Sequence, residues 1–282
     1  MTTAVDVIIA AYNAEPTIRA AVESAQKVDG AAVTVVDDGS TDGTADIARS
    51  LGATVIEQQN SGASAARSRG LAASTAPLVV FLDADDELVA NGVHRSIALL
   101  EDSPTAVVSA GRVEGFTAAA STVGVLPRRY DSVTTTSLIR TGFGPWPPAA
   151  SVIRRAALVE AADLEPSALS TRYAEDYEMI IRLSLLGDVV MHDAVAMRYR
   201  MYDGKSSNAA ESALRDKERI RRHYADALRI DADLMDEGQL RAATRIRMAR
   251  VALSRKRYVN ALALVARVIV TNPMFILRKV MR

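Results

Sequence analysis

The 282 residues carry 34 Lys/Arg against 34 Asp/Glu and no cysteine, which excludes a disulfide framework, a thiolate metal site and a cysteine nucleophile. That length suits one large α/β domain, or a catalytic domain with a helical appendage. The zero net charge hides an asymmetry: Arg241 to Arg282 holds eleven Lys/Arg and no Asp/Glu, leaving 23 basic against 34 acidic residues before it.

In chain order, Val5–Ala10 reads as a strand and a helical pattern follows from about Glu15 to Val28. Ala32–Val36, rich in β-branched residues, is a second strand. Thr41–Leu51 reads as a helix with Ser40 or Thr41 as its cap and Gly52 just past its end. Thr54–Ile56 is a short strand, Ala63–Ala73 a helix, Leu78–Leu82 a buried strand, Gly92–Glu101 a helix and Ala106–Ala110 a strand. Short apolar runs separated by helices of this length indicate parallel strands joined by crossovers.

From Phe116 to Pro148 the pattern is irregular, with Ser/Thr clusters and the run Gly144-Pro-Trp-Pro-Pro148, and it reads as a loop. Tyr173–Leu186 is helical, Val189–Met191 and Ala196–Tyr202 are late strands, and the chain beyond Asn208 is helix-forming. These signals divide the chain near residue 205. Residues 1–205 form an α/β domain, regularly alternating to about residue 115 and less regular over about 116–205, and residues 206–282 form a basic helical extension. No basic residues precede the first apolar run, so no signal peptide is expected. The longest apolar candidate, Tyr258–Leu277, contains Arg267 and is broken by Asn272-Pro273, so a membrane span is not expected either.

Every acidic cluster of the first half falls at the C-terminal end of an expected strand. Asp37-Asp38-Gly39-Ser40 follows the second strand, Asp83-Ala84-Asp85-Asp86 follows Leu78–Leu82, and Ala11-Tyr12-Asn13 follows the first. In an open parallel sheet, ligands bind beyond the carboxyl ends of the strands. Three carboxylates within four residues repel one another unless cations or donors compensate, and hard oxygen donors suit Mg²⁺ or Mn²⁺ beside substrate phosphates. A solvated acidic turn explains the cluster equally well by itself. No G-x-G-x-x-G is present, and Tyr199 stands where a P-loop ending in Gly204-Lys205-Ser206 needs glycine. A bound diphosphate therefore needs a metal and basic side chains, with Arg67 and Arg69 nearest. Glu175-Asp176 opens a helix with a buried face, where it either complements the helix dipole or supplies a general base. His94, His192 and His223 are far apart and read as structural.

In this order, the clusters resemble the GT-A fold glycosyltransferases of family 2, from Val5 to about Asn208. Val7–Glu15 is similar to that family's opening strand and nucleotide-facing loop, Val35–Asp42 and Asn60–Arg67 follow, Phe81–Asp86 resembles its metal-binding D-x-D element, and Glu175-Asp176 its ED motif. The resemblance implies a Rossmann-like mixed α/β sheet flanked by helices. It implies Ala11, Tyr12, Glu15, Asp38, Arg67, Asp83, Ala84 and Asp85 around a nucleoside-diphosphate sugar, with a uridine or deoxythymidine donor favoured. It further implies Asp85 and Asp86 at a Mn²⁺ or Mg²⁺ ion, Asp176 as the base of an inverting transfer, and Trp146 with Glu175 toward a sugar or lipid-linked acceptor. Relatives often carry a histidine after the late Tyr-Arg pair; here Tyr199-Arg200-Met201 leads into Tyr202.

A nucleotidyltransferase activating a sugar phosphate, or a silent nucleotide-sugar-binding protein, are the competing readings. The first needs a Gly-rich loop that Ala11-Tyr12-Asn13 does not provide. The C-terminal pattern of Arg255-Lys256-Arg257 before an apolar helix fits docking on an anionic membrane, or packing on the catalytic domain. A cytoplasmic protein at the inner membrane face, with no nucleic-acid partner, is the expectation.

Overall fold

The structure, a computed structural model, describes residues 3–117, 121–201, 210–254 and 256–273. It falls into two compact units: Met1–Leu138 with Phe143–Ser167 and Met179–Met201, and Ile139–Gly142 with Ala168–Glu178 and Tyr202–Arg282.

The first unit is built on one mixed sheet. Its strands are β1 (Val5–Ala11), β2 (Ala31–Asp37), β3 (Thr54–Glu57), β4 (Leu78–Asp83), β5 (Glu87–Leu88), β6 (Ala106–Phe116), β7 (Thr122–Val125), β8 (Ser151–Arg154) and β9 (Asp188–Arg200). They lie in the order β3-β2-β1-β4-β8-β6-β9-β5, with β7 added beside β6. β1 to β4 are mutually parallel, β8 runs antiparallel to β4 and β6, and β9 runs parallel to β6. β1 and β4 are central and buried almost throughout, which is why they read as continuous apolar runs rather than alternating ones.

Helices α1 (Ile18–Gln26), α2 (Thr44–Ser50), α3 (Ala63–Ala73) and α4 (Ala90–Asp102) connect or flank these strands. Two glycines allow close approach. A Cβ on Gly70 of α3 would sit 2.3 Å from Ile8 Cγ2 on β1, and one on Gly92 of α4 would sit 2.0 Å from the Val195 carbonyl oxygen on β9.

Several expectations need correction. The Phe116–Pro148 stretch is not all loop: it contains β7 and α5 (Thr135–Thr141), and a 3-10 turn at Pro148–Ala150 leads into β8 and then α6 (Arg155–Ala162). β8 is four residues long and gains its place only by pairing with β4 and β6, which no local pattern records. The two late strands are one, β9, whose register against β6 shifts around Ala110 to Val113. Helix α2 starts at Thr44 with Gly43 as its cap, because Ser40 bonds Asp37 and the Thr41 amide donates to Asn13 Oδ1 at 2.9 Å.

The second unit holds α8 (Ala210–Leu228), α9 (Glu237–Ser254) and α10 (Tyr258–Thr271), with the first turn of α7 (Glu175–Leu183). A buried ion pair gathers its distant pieces. Arg221 Nη1 meets Glu218 Oε2 at 2.8 Å while the same guanidinium donates to the carbonyls of Ile139 (2.8 Å) and Arg140 (2.9 Å). Glu218 also accepts the Met235 amide at 2.6 Å, so both charges are fully engaged, as a buried pair requires.

Replacing Gly92 by Ala forces a methyl group into the β9 backbone, which cannot move aside as a side chain can. Gly92→Ala is expected to cost about 2 kcal/mol or more in urea unfolding despite the better helix propensity of alanine.

Candidate functional site

Strand register brings the polar clusters to one level. Ala11 pairs with Asp37, Asp37 with Glu57, and Ala10 with Asp83, so the loops after β1, β2, β3 and β4 leave the sheet side by side. Asp38 and Asp83 flank β1 at a separation of roughly 10 Å, two strand spacings.

Asp38 is 4% exposed and accepts three hydrogen bonds: from Gln58 Nε2 (2.8 Å) and the Ser61 amide (2.7 Å) at Oδ1, and from the Gly62 amide (2.8 Å) at Oδ2. Its own amide donates to the Ala11 carbonyl at 2.8 Å. Asp38 therefore clasps the β1 end through its amide, and the β3 loop and the start of α3 through its carboxylate.

The β1 loop is stapled to the β2 loop by a second set of bonds. The Asn13 amide donates to Ser40 Oγ (2.9 Å), the Ala14 amide to Thr44 Oγ1 (2.8 Å), and the Glu15 amide to Asp42 Oδ2 (3.2 Å). The Thr44 hydroxyl holds Asp42 below the usual carboxylate range. Glu15, expected at the donor sugar nucleotide, places its carboxylate on the Gly43 amide at 3.0 Å, just before α2, where negative charge suits the helix dipole. Tyr12, between these anchors, is exposed at the same edge.

Arg67, one turn into α3, reaches β4 and donates from Nη2 to Asp83 Oδ1 at 2.6 Å. Ala84 is buried and Asp85 exposed. Asp86 is 2% exposed, and its Oδ1 accepts the Arg200 amide at 2.8 Å. Burial, with repulsion from Asp83 and Asp85 added, pushes the Asp86 carboxyl up to about 8. Expected as a metal ligand, Asp86 is placed instead to fasten the acidic turn to the end of β9.

Arg198 and Arg200 lie on one face of β9, two residues apart, and the role of this pair was not read from the sequence. Their guanidiniums stack on the buried Phe116 ring, with Cζ 4.8 and 5.0 Å from its centroid. Arg198 pairs with Glu87 (2.7 Å) and Glu114 (3.3 Å), and Arg200 Nε donates to the Asp85 carbonyl at 3.1 Å. The available signal was the spacing Arg198-Tyr199-Arg200, which puts both cations on the same side of a strand. Tyr202 lies outside the described residues.

Among the described residues, no three His, Asp or Glu side chains form a ready-made metal cage. The donor chemistry of the acidic turn nevertheless fits a divalent cation: Asp83 and Asp85 present hard oxygens two residues apart. Trp146 is half-buried against the core of the first unit. His192 is buried with Nε2 2.8 Å from Ser96 Oγ. In the second unit, Glu175 and Asp176 open α7, and the Tyr177 amide donates to Asp176 Oδ1 at 2.8 Å. Glu178, one step on, is buried and accepts the Leu169 amide (2.9 Å) and the Tyr224 hydroxyl (3.0 Å), anchoring that turn.

A sequence model described as glycosyl transferase family 2 matches residues 6–158, over half of the chain. The chain belongs to glycosyl transferase family 2. Among curated members, the succinoglycan biosynthesis protein ExoU of Rhizobium meliloti (strain 1021) is 44% identical over 91 residues, 30% of this chain and 27% of that protein. The chain thus spans about a quarter of the length of the curated relatives it first matches, 27% in each case. Among solved structures, residues 1–349 of S. aureus TarS in complex with UDP-GlcNAc superpose with a TM-score of 0.63 at 20% identity, covering 92% of this chain and 80% of that one. The mannosyltransferase PcManGT of Pyrobaculum calidifontis, in complex with GDP-Man and Mn²⁺, gives 0.59 at 18% identity, covering 95% and 81%. These likenesses carry the fold, a mixed sheet flanked by helices, as the GT-A resemblance implied.

Asp38→Asn sets an amide NH₂ against either the backbone donors or the Gln58 amide. Urea unfolding should show a loss of about 1–3 kcal/mol, the cost of a buried donor without an acceptor.

Proposed function

We propose that the protein transfers a sugar, with inversion, from a nucleoside-diphosphate donor to an acceptor hydroxyl. The observation that carries the reading is the alignment of the β1, β2, β3 and β4 loops, which puts Asp38 on one side of β1 and the Arg67–Asp83 pair on the other. Asp38 and Tyr12 hold the base, Ala11 and Ala84 line the approach with backbone and small side chains, and Asp83 with Arg67 orients the ribose and diphosphate. Arg67 spreads positive charge near the phosphates while remaining fixed by Asp83.

Asp85 would hold a Mn²⁺ or Mg²⁺ ion, which would supply positive charge to the departing diphosphate. Asp176 takes the proton of the acceptor hydroxyl. The acceptor oxygen then forms its bond to the anomeric carbon as the bond from that carbon to the diphosphate breaks, and the nucleoside diphosphate leaves with the electron pair. Asp176 stands in the first turn of α7, where the helix dipole favours negative charge. Trp146 and Glu175 are our candidates for acceptor contacts.

Family membership supports sugar transfer over nucleotidyl transfer. The TarS and PcManGT complexes hold UDP-GlcNAc and GDP-Man, and by the resemblance we favour a uridine or deoxythymidine donor here. The likeness to a succinoglycan biosynthesis protein supports a polysaccharide or glycoconjugate product. The protein works in the cytoplasm, at the inner face of the membrane.

Two outcomes test this. UDP with Mn²⁺ should raise the melting temperature of the full chain, Mn²⁺ alone should do so less, and Asp85→Ala should abolish the metal-dependent part. Asp176→Asn should retain the UDP/Mn²⁺ shift and lose transfer by about a thousandfold or more in a donor-turnover assay; undiminished turnover removes Asp176 as the base.

A further inference from the structure

Helix α10 is apolar on its buried side and on part of its exposed side. Ala261 and Val268 are buried, while Val259 is 79%, Leu262 70% and Val270 81% exposed, with Tyr258 and Ile269 exposed beside them. On a helix advancing 100° per residue, Tyr258, Val259, Leu262, Ile269 and Val270 fall within an arc of roughly 120°. Arg267 and Asn260 lie together past the Val270 edge of that arc, and both are exposed. Leu264 and Val265 are half-buried on the side of Ala261 and Val268, and the opposite side carries an exposed apolar stripe, a surface that usually marks an interaction site.

The charge around the stripe identifies what covers it. Arg250, Lys256, Arg257 and Arg267 are exposed near or on α10, within the segment from Arg241 to Arg282 that holds eleven basic and no acidic residues. Lys256 and Arg257 stand before the first turn of α10, where a positive charge opposes the helix dipole unless an anionic surface meets it. A second copy of the chain would bring the same cations against these and be repelled. Among the described residues no helix is long and apolar enough to cross a membrane.

We infer that α10 lies in the surface of an anionic lipid bilayer, its Tyr258/Val259/Leu262/Ile269/Val270 face among the acyl chains and its basic residues at the headgroups. The inference rests on the membrane-face placement proposed above, whereas the transfer chemistry stands apart from it.

Flotation of the full chain with vesicles of phosphatidylcholine containing phosphatidylglycerol tests the assignment. The protein should float with these vesicles at about 0.1 M salt, float less at 1 M, and float little with pure phosphatidylcholine. Val259→Ser/Leu262→Ser/Val270→Ser and Lys256→Gln/Arg257→Gln/Arg267→Gln should each lower partitioning by about tenfold or more. Both variants should keep the UDP/Mn²⁺ melting shift measured without vesicles, which shows an intact fold. No flotation of the wild type, equal flotation of the variants, or equal binding to neutral vesicles overturns the docking while leaving the transfer reading intact. Dimerisation of the wild type that the serine variant abolishes, without vesicle binding, assigns the face to a second copy and overturns it too. A missing UDP shift with flotation preserved overturns the transfer reading alone.

Discussion

Carboxylates crowded at the ends of adjacent parallel strands must be met by donors or cations, and that requirement organises the first unit. Asp38 is met by backbone amides and Gln58, Asp83 by Arg67, and Asp86 by the Arg200 amide. Each solution uses a partner from another strand or helix, so satisfying the charges also ties the β1, β2, β3 and β4 loops and the end of β9 into one surface. The site and the fold at this edge are held by the same bonds. Asp85 differs from its neighbours in its exposure.

The same logic explains why the arginines of β9 matter. Arg198 and Arg200 surround the acidic turn with positive charge, but their stacking on Phe116 and bonds to Glu87, Glu114 and the Asp85 carbonyl hold them in fixed directions. A guanidinium fixed in advance loses less entropy when a phosphate arrives than a mobile surface lysine does. In the second unit, the buried Arg221–Glu218 pair and the Glu178–Tyr224 bond show a comparable use of charge to join segments distant in sequence.

Much of this was legible in the sequence because strand-end acidity is a local signal. Asp37-Asp38 and Asp83–Asp86 follow apolar runs directly, and α3 was read with its observed bounds. What escaped depends on pairing across the chain. The roles of Asp38 as a clasp and of Glu15 at Gly43 come from residues twenty or more positions away. The burial of Asp86 is created by β9, over a hundred residues later. β8 has no periodicity to betray it, and α10 reads as apolar without revealing which side faces out.

The account stands on a divalent ion bound between Asp85 and the nucleotide's diphosphate at the β1/β4 edge. Crystals grown with UDP and Mn²⁺, measured at the manganese absorption edge, test it most directly. A single anomalous peak within bonding distance of an Asp85 oxygen, with the uracil beside Asp38, is the predicted result. Nucleotide density at another surface, or a manganese peak away from the Asp83–Asp86 turn, contradicts it.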